Sequence, residues 1–388
     1  MHYLDSDRKN VWGCKGSMQN SGPIENIKPK LPSGAQEVFM RFSFANARRA
    51  FLLALVLIAV AGTAFGQSLL GSGATFPAPA YTRMFDEYAK ATGVKVNYQA
   101  IGSSGGLKNI ADRVVDFGGS DSFIKDADFS KYPAPVVHIP TVIGAVVVTY
   151  NLPGNPVLRL TGPVIADIYL GKITKWNDPA IASLNPSVAL PNREIIPVYR
   201  SDGSGTTFNF TAYLNAISSE WKTRVGNANS VSWPAGLGAA QNAGVAGAVK
   251  QTPGSIGYVE LAYAIQNKMP VAAIKNAKGE WIEPKLESIS VSAAGAFPPD
   301  SRILLVNTDA QKGYPISALT WIIVYREQNY GGRTRDRAEQ LVKLLWWMIH
   351  EGQNLVTSLD YAPLPAPAVK VAEQIIKSIT WDGQPLLK

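Results

Sequence analysis

Cysteine is almost missing from this chain: Cys14 is the single one in 388 residues. It stands in an N-terminal stretch of Gly, Pro, Asn and Lys with no regular apolar period. The remainder therefore has no disulfide, no thiolate metal centre and no cysteine nucleophile. Histidine is nearly as scarce, and only His138 and His350 fall beyond that stretch, far apart in sequence. Asp121, Asp178 and Asp202 do not form a spaced metal-ligand set, and no serine has an evident base partner. Hydrolytic chemistry normally needs one of these, so the residues argue against an enzyme, and they call for no metal and no cofactor. Excess charge is also lacking. The chain has 37 basic and 29 acidic residues; with the eight basic and four acidic ones of positions 1–66 set aside, 29 and 25 remain, and they are dispersed. Nucleic-acid binding wants a clustered basic face, and none is present.

No apolar run is long enough to cross a bilayer comfortably, and the almost unbroken one from Ala50 to Ala61 is too short to do so. Its flanks explain it. Met40 offers a second start, Arg41, Arg48 and Arg49 supply a basic leader, and Ala64-Phe65-Gly66 has the small residues that a signal peptidase reads. Residues 40–66 are expected to be a signal peptide cleaved after Gly66, and residues 1–39 an upstream extension outside the fold. With no cysteine at the cleavage site for a lipid, the product is expected to be a free periplasmic protein.

From Ser68 onward, short β-like runs alternate with helical patterns, the signature of an α/β architecture. Leu69 to Gly73, Val94 to Tyr98 and Ile195 to Tyr199 read as strands. Helices are expected over Tyr81 to Ala91, Leu107 to Val115, from Thr207 to Leu214, from about Gly244 to Gln251, and over Arg337 to Glu351. In the last, Trp346 and Trp347 are expected in the core and His350 at a helix end facing solvent. Thr141 to Tyr150 and Tyr314 to Tyr325 read as long buried strands. They divide the chain into three blocks. If both run between lobes, the first and last blocks form one domain and the middle block another; the alternative is two ordinary core strands.

Three strand-to-helix turns share one design. Near residues 75, 104 and 205, glycines let the backbone come close to a ligand, Ser or Thr supplies hydroxyls, and a helix begins with its unpaired amides. The stretch Arg200-Ser201-Asp202-Gly203-Ser204-Gly205-Thr206-Thr207-Phe208 adds a guanidinium and a carboxylate. Such a turn suits a small oxyanion. Alone, each could be an ordinary surface loop; three in one chain point to a site.

These residues resemble a known family. Gly71 to Pro79, Ile101 to Gly106, Asp116 to Asp121, Asp167 to Ile173, Asp202 to Thr206 and Gly254 to Val259 are similar, in order, to motifs of periplasmic phosphate-binding proteins, the soluble receptors of the phosphate-specific ABC importer. The resemblance covers essentially all of 68–388 and none of 1–39. It implies an α/β, two-lobed clamp of the type II periplasmic-binding-protein kind, with ligand in the interlobe cleft and two hinge strands. Lobe I is expected over 68–146 and 318–388, lobe II over 147–317. It also implies a monomer that meets inorganic phosphate and then the permease and ATPase subunits of the importer.

Residue by residue, the resemblance assigns Ala74, Thr75 and Phe76 to one phosphate-binding turn, Ser103 to the second, and Ser204, Gly205 and Thr206 to the opposite lobe. Arg200 becomes the one charged donor, held by Asp202, and Asp121 the acceptor of a proton carried by the ligand. Gly119 and Ser122-Phe123 differ from the commonest family pattern without removing a contacting group. The chemistry is coherent, because a buried anion needs nearly every lone pair satisfied, at a cost of about 1–3 kcal/mol for each one missed. A carboxylate beside an anion is repulsive unless a proton lies between them, so Asp121 would favour phosphate over sulfate. A receptor for sulfate or another tetrahedral oxyanion, and a secreted phosphatase, are the alternatives.

Overall fold

The computed structural model describes residues 68–387. The expected extension, the signal peptide with its cleavage site, and Cys14 lie outside them.

Eight strands form one mixed sheet: β1 (Leu69–Gly73), β2 (Val96–Ala100), β3 (Phe117–Ser120), β4 (Val136–Tyr150), β5 (Ile196–Arg200), β6 (Leu237–Ala239), β7 (Ser255–Glu260) and β8 (Ser317–Tyr325). Their order is β2-β1-β3-β8-β4-β7-β5-β6. β4 is the organising element, and every residue of it is buried. Residues 136–145 pair antiparallel with β8, and residues 146–150 pair antiparallel with β7. One strand thus changes partner midway and belongs to both halves of the clamp. Full burial on both faces accounts for its unbroken apolar reading.

β4 begins five residues before the expected Thr141, and Pro140 is the reason the sequence misleads. Proline cannot donate to a ladder and normally argues against a central strand. Here the register shifts between Thr320 and Trp321, which pair with Val142 and Pro140, so Thr141 bulges out of the ladder. The bulge frees the Thr141 hydroxyl to donate to Thr320 O at 3.1 Å and to meet the Tyr81 hydroxyl at 2.7 Å. β8 starts at Ser317 rather than Tyr314.

The helices begin where capping chemistry allows. α1 (Ala78–Thr92) opens on Pro77 and Pro79, whose missing N–H groups cost nothing in a first turn, and ends at Gly93 with φ 77°. α2 (Ser103–Ala111) starts four residues earlier than expected, directly after Gly102. α3 (Gly205–Ile217) is capped by the Ser204 hydroxyl, which accepts from Thr207 N, and its first ten residues are all buried. α4 (Gln241–Gln251) starts three residues before Gly244, and α5 (Arg335–Ile349) follows the Thr334 cap. Trp346 and Trp347 are only half-buried: Trp347 packs on Tyr88, and Lys377 lies over the Trp346 ring. His350 follows α5 and bonds Trp346 O and the Glu373 carboxylate, both at 2.9 Å.

Candidate functional site

The carboxyl ends of β1, β2, β3 and β5 converge, and each expected site residue lies at the end of one of these strands, on the turn that follows it, or in the first residues of the next helix. In the β1–α1 turn, Gly73 has φ 141°, and a Cβ there would lie 2.0 Å from Gly119 O. Only glycine allows that approach. Three consecutive carbonyls are then pinned outward by tyrosine hydroxyls: Tyr98 donates to Ala74 O at 2.8 Å, Tyr263 to Thr75 O at 2.7 Å, and Tyr361 to Phe76 O at 2.6 Å. The amides of Thr75 and Phe76 take no protein acceptor among the described residues. Buried N–H groups are normally satisfied, so a turn built this way presents donors for a guest.

The second turn brings Ser103, buried at the start of α2. Its Oγ accepts from Asp121 N at 3.2 Å and from Gly205 N at 3.0 Å. Ser104 N donates to Gly203 O at 3.0 Å, and Asn209 Nδ2 donates to Asp121 O at 2.7 Å. These bonds join the half containing β1–β3 to the half containing β5–β7. Gly102 makes the approach possible, since a Cβ there would sit 2.6 Å from Asp202 Oδ2.

The third turn holds the charge. Arg200 is 2 % exposed. Its Nε donates to Asp202 Oδ1 at 2.7 Å, its Nη2 to Asp202 Oδ2 at 2.6 Å, and its Nη1 reaches Thr206 Oγ1 at 3.3 Å. A two-point fork of this kind fixes the guanidinium plane. Burial works against ionisation of Asp202, yet Arg200 and the Gln241 amide hold its carboxyl below the usual range. The pair is internally neutral, so the cage carries little net charge.

Asp121 is 1 % exposed. Thr320 Oγ1 donates to its Oδ1 at 2.8 Å, and Ser103 Oγ lies 3.5 Å from its Oδ2. Burial pushes the carboxyl up to about 7, against the opposing pull of Thr320 and Arg200. In the unfolded chain the group ionises near 3.8. Below that pH both states hold the proton, and no difference arises. As pH rises towards 7 the unfolded chain releases it first, so stability falls, and the full cost is present above about 7. Asp121→Asn is expected to abolish a loss on the order of 4 kcal/mol. Urea unfolding of parent and variant in phosphate-free buffer between pH 4 and 8 measures this; parallel curves would show that Asp121 ionises normally in the fold.

All nine expected contact residues and Asp202 sit in this one region. Several participants were not anticipated. Asn242 Nδ2 donates to Thr75 Oγ1 at 2.9 Å and to Thr206 Oγ1 at 3.1 Å, bridging the two halves, while its Oδ1 accepts from Glu260 N at 3.0 Å. A signal existed: Leu237-Gly238-Ala239-Ala240-Gln241-Asn242 is a fourth strand-to-helix turn, with an amide where the others have hydroxyls. Thr320, the three tyrosines and fully buried Glu260, whose carboxyl burial pushes well above its ordinary value, had no local signal. Neither His138 nor His350 bonds a cage residue. His138 accepts from Ile124 N at 3.1 Å.

Hydroxyls, amides and one arginine gathered between two α/β halves make a solute-binding clamp. The profile of the PBP superfamily domain matches residues 59–350. The phosphate-binding protein PstS of Xylella fastidiosa strain Temecula1 is 44 % identical over 312 residues, 78 % of this chain and 83 % of that one. PstS of Haemophilus influenzae is 42 % identical over 309 residues, 78 % and 90 % of the two. The chain belongs to the PstS phosphate-binding proteins of this superfamily. Its fold is similar to that of a high-affinity periplasmic phosphate-binding protein, PfluDING, solved with phosphate bound, at TM-score 0.63, 20 % identity, and 79 % and 93 % coverage. It is likewise similar to the phosphate-binding protein of Stenotrophomonas maltophilia at TM-score 0.62, 18 % identity, and 80 % and 94 % coverage.

Proposed function

We propose that this protein captures inorganic phosphate in the periplasm and delivers it to the permease and ATPase subunits of an ABC importer. The observation that carries this reading is the cage itself: free amides at Thr75 and Phe76, hydroxyls of Thr75, Ser103, Ser204 and Thr206, and one arginine already neutralised by Asp202. Neutral donors solvate a buried anion without a basic pocket. Ala74 shapes the first turn, and Gly205 brings the α3 amides to the anion. Each chain carries a complete cage, consistent with a monomer.

Lobe I comprises 68–146 and 318–388, lobe II 147–317. The change of partner along β4 between Ala145 and Val146 supports this division, and bending there would separate the lobes. Residues 301 and 302 of the middle segment reach back, with Ser301 Oγ donating to His138 O at 2.8 Å and Arg302 Nη1 to Ile124 O at 2.9 Å. Export follows from the leader at 40–66 with its basic start and apolar core, and Cys14 lies outside the exported part, so no lipid is attached.

Asp121 decides the ligand. Monohydrogen phosphate brings a proton that a carboxylate can accept, whereas sulfate brings none, and above about pH 7, where Asp121 is ionised, the site would face it with an unscreened negative charge. Isothermal titration is expected to show tight phosphate binding and sulfate binding weaker by about 3 kcal/mol or more, or at least a hundred-fold. Asp121→Ala is expected to narrow that ratio. A ratio unchanged by the substitution would remove the selectivity role, and an absence of phosphate binding by the parent would remove the function.

A further inference from the structure

A second cluster of charge lies at the other end of lobe I. Asp116 immediately precedes β3 and Asp121 follows it, so the two carboxylates are separated by about 16 Å of extended chain. Asp116 is 2 % exposed and has no acceptor capacity to spare. Leu70 N donates to Oδ2 at 2.6 Å, Arg337 Nε to Oδ1 at 2.8 Å, and Arg337 Nη2 to Oδ2 at 2.7 Å. Arg333 Nη1 shares Oδ1. Burial opposes its ionisation, but the two arginines keep its carboxyl below the ordinary range.

One carboxylate therefore answers two guanidinium groups, and a third stands beside them. Arg113 lies 5.1 Å from the Tyr325 ring centroid and 5.2 Å from that of Tyr330. Arg333 approaches the same Tyr330 ring at 5.2 Å. Asp112, the neighbour of Arg113, is already paired with Lys108. The Arg333 side chain is only 8 % exposed. Its Nε and Nη2, and the Tyr330 hydroxyl, have no hydrogen-bond partner among the described residues. A buried guanidinium with two unmet nitrogens is costly unless something negative completes it. Beside it is a cavity of about 220 Å³ lined by Arg113, Asp116, Tyr330, Gly332, Arg333 and Arg337.

We propose that this cavity is a second anion site, which takes a small tetrahedral oxyanion of the sulfate class. Its chemistry is the reverse of the cage. Three guanidinium groups against one saturated carboxylate leave a surplus of positive charge, and the Asp116 carboxylate has no lone pair left to accept a proton from the ligand. The site therefore lacks the carboxylate acceptor by which the cage would favour a protonated oxyanion, and it binds weakly and in a salt-dependent way. It is independent of whether the cage holds phosphate.

The test is a ¹H–¹⁵N NMR titration of the whole exported chain with one equivalent of phosphate present, adding sodium sulfate or, at matched ionic strength, sodium chloride. The amides of Val114, Gly331 and Gly332 are expected to move saturably with sulfate and to stay put with chloride. Arg113→Gln removes an exposed guanidinium that makes no ion pair among the described residues, and it is expected to raise the sulfate midpoint about five-fold. Arg333→Met is expected to abolish the response. Equal shifts with chloride, or a sulfate midpoint unchanged by Arg113→Gln, would overturn the proposal, and the Arg113 variant keeps it falsifiable if Arg333→Met does not fold.

Discussion

Arg200→Met is expected to weaken phosphate binding by about a hundred- to several-thousand-fold, while the fold persists. Two effects add. The variant loses the one guanidinium aimed at the cage, and charge-assisted hydrogen bonds are the strong ones. It also strips Asp202 of both its fork contacts, at 2.7 and 2.6 Å, and leaves a carboxylate facing an incoming anion. Breaking a buried pair from one side costs roughly 3–5 kcal/mol. Arg200→Lys should recover only part of the loss, because an ammonium cannot span both Asp202 oxygens and still reach Thr206. Titration calorimetry of the three proteins provides the measurement. A loss below ten-fold in the methionine variant would show that the neutral donors alone carry affinity.

Gly205→Ala should have a comparable effect for an unrelated reason. A Cβ at this position would lie 2.5 Å from Ser103 Oγ, 2.6 Å from Asp121 Cβ and 2.7 Å from Asp121 Oδ2. Two of these contacts are with the site's own polar atoms, and all three are with residues of the half that contains β1–β3. Alanine suits a helical start in itself, so α3 should form normally and the strain should fall wholly on closure. The expected result is phosphate binding lost to below detection, an unchanged far-UV spectrum, and a radius of gyration by small-angle scattering that does not shrink when phosphate is added, whereas the parent's does. Compaction of the variant with phosphate would mean that Ser103 and Asp121 yield readily, and that the cage is softer than its burial implies.

What could be read from the sequence, and what could not, follows the range of each interaction. Thr75, Ser103, Ser204, Gly205 and Thr206 were legible because their chemistry is local: a strand ends, glycines permit a turn, and a helix begins with a hydroxyl in its first residues. Arg200 and Asp202 were legible for the same reason, being two residues apart. Thr320 sits inside an apolar run of β8, and its role depends on a strand 199 residues from Asp121 in the chain. No window along the sequence contains both. Tyr98, Tyr263 and Tyr361 come from three separate elements to hold three consecutive carbonyls, which only the assembled fold can bring about. Pro140 hid the first part of β4, because the bulge that accommodates it is a property of the pairing with β8 rather than of either strand alone. Asn242 was the one participant within reach, since its turn repeats the pattern of the other three with a different side chain.

The position of β8 has a further consequence, for how the chain is made. Residues 317–325 lie between β3 and β4, so the first lobe lacks an interior strand until synthesis has passed residue 325. Nearly two hundred residues emerge after β3 before its antiparallel neighbour exists. The nascent polypeptide cannot complete that sheet in vectorial order, so the core around β3 and β4 closes only late in synthesis.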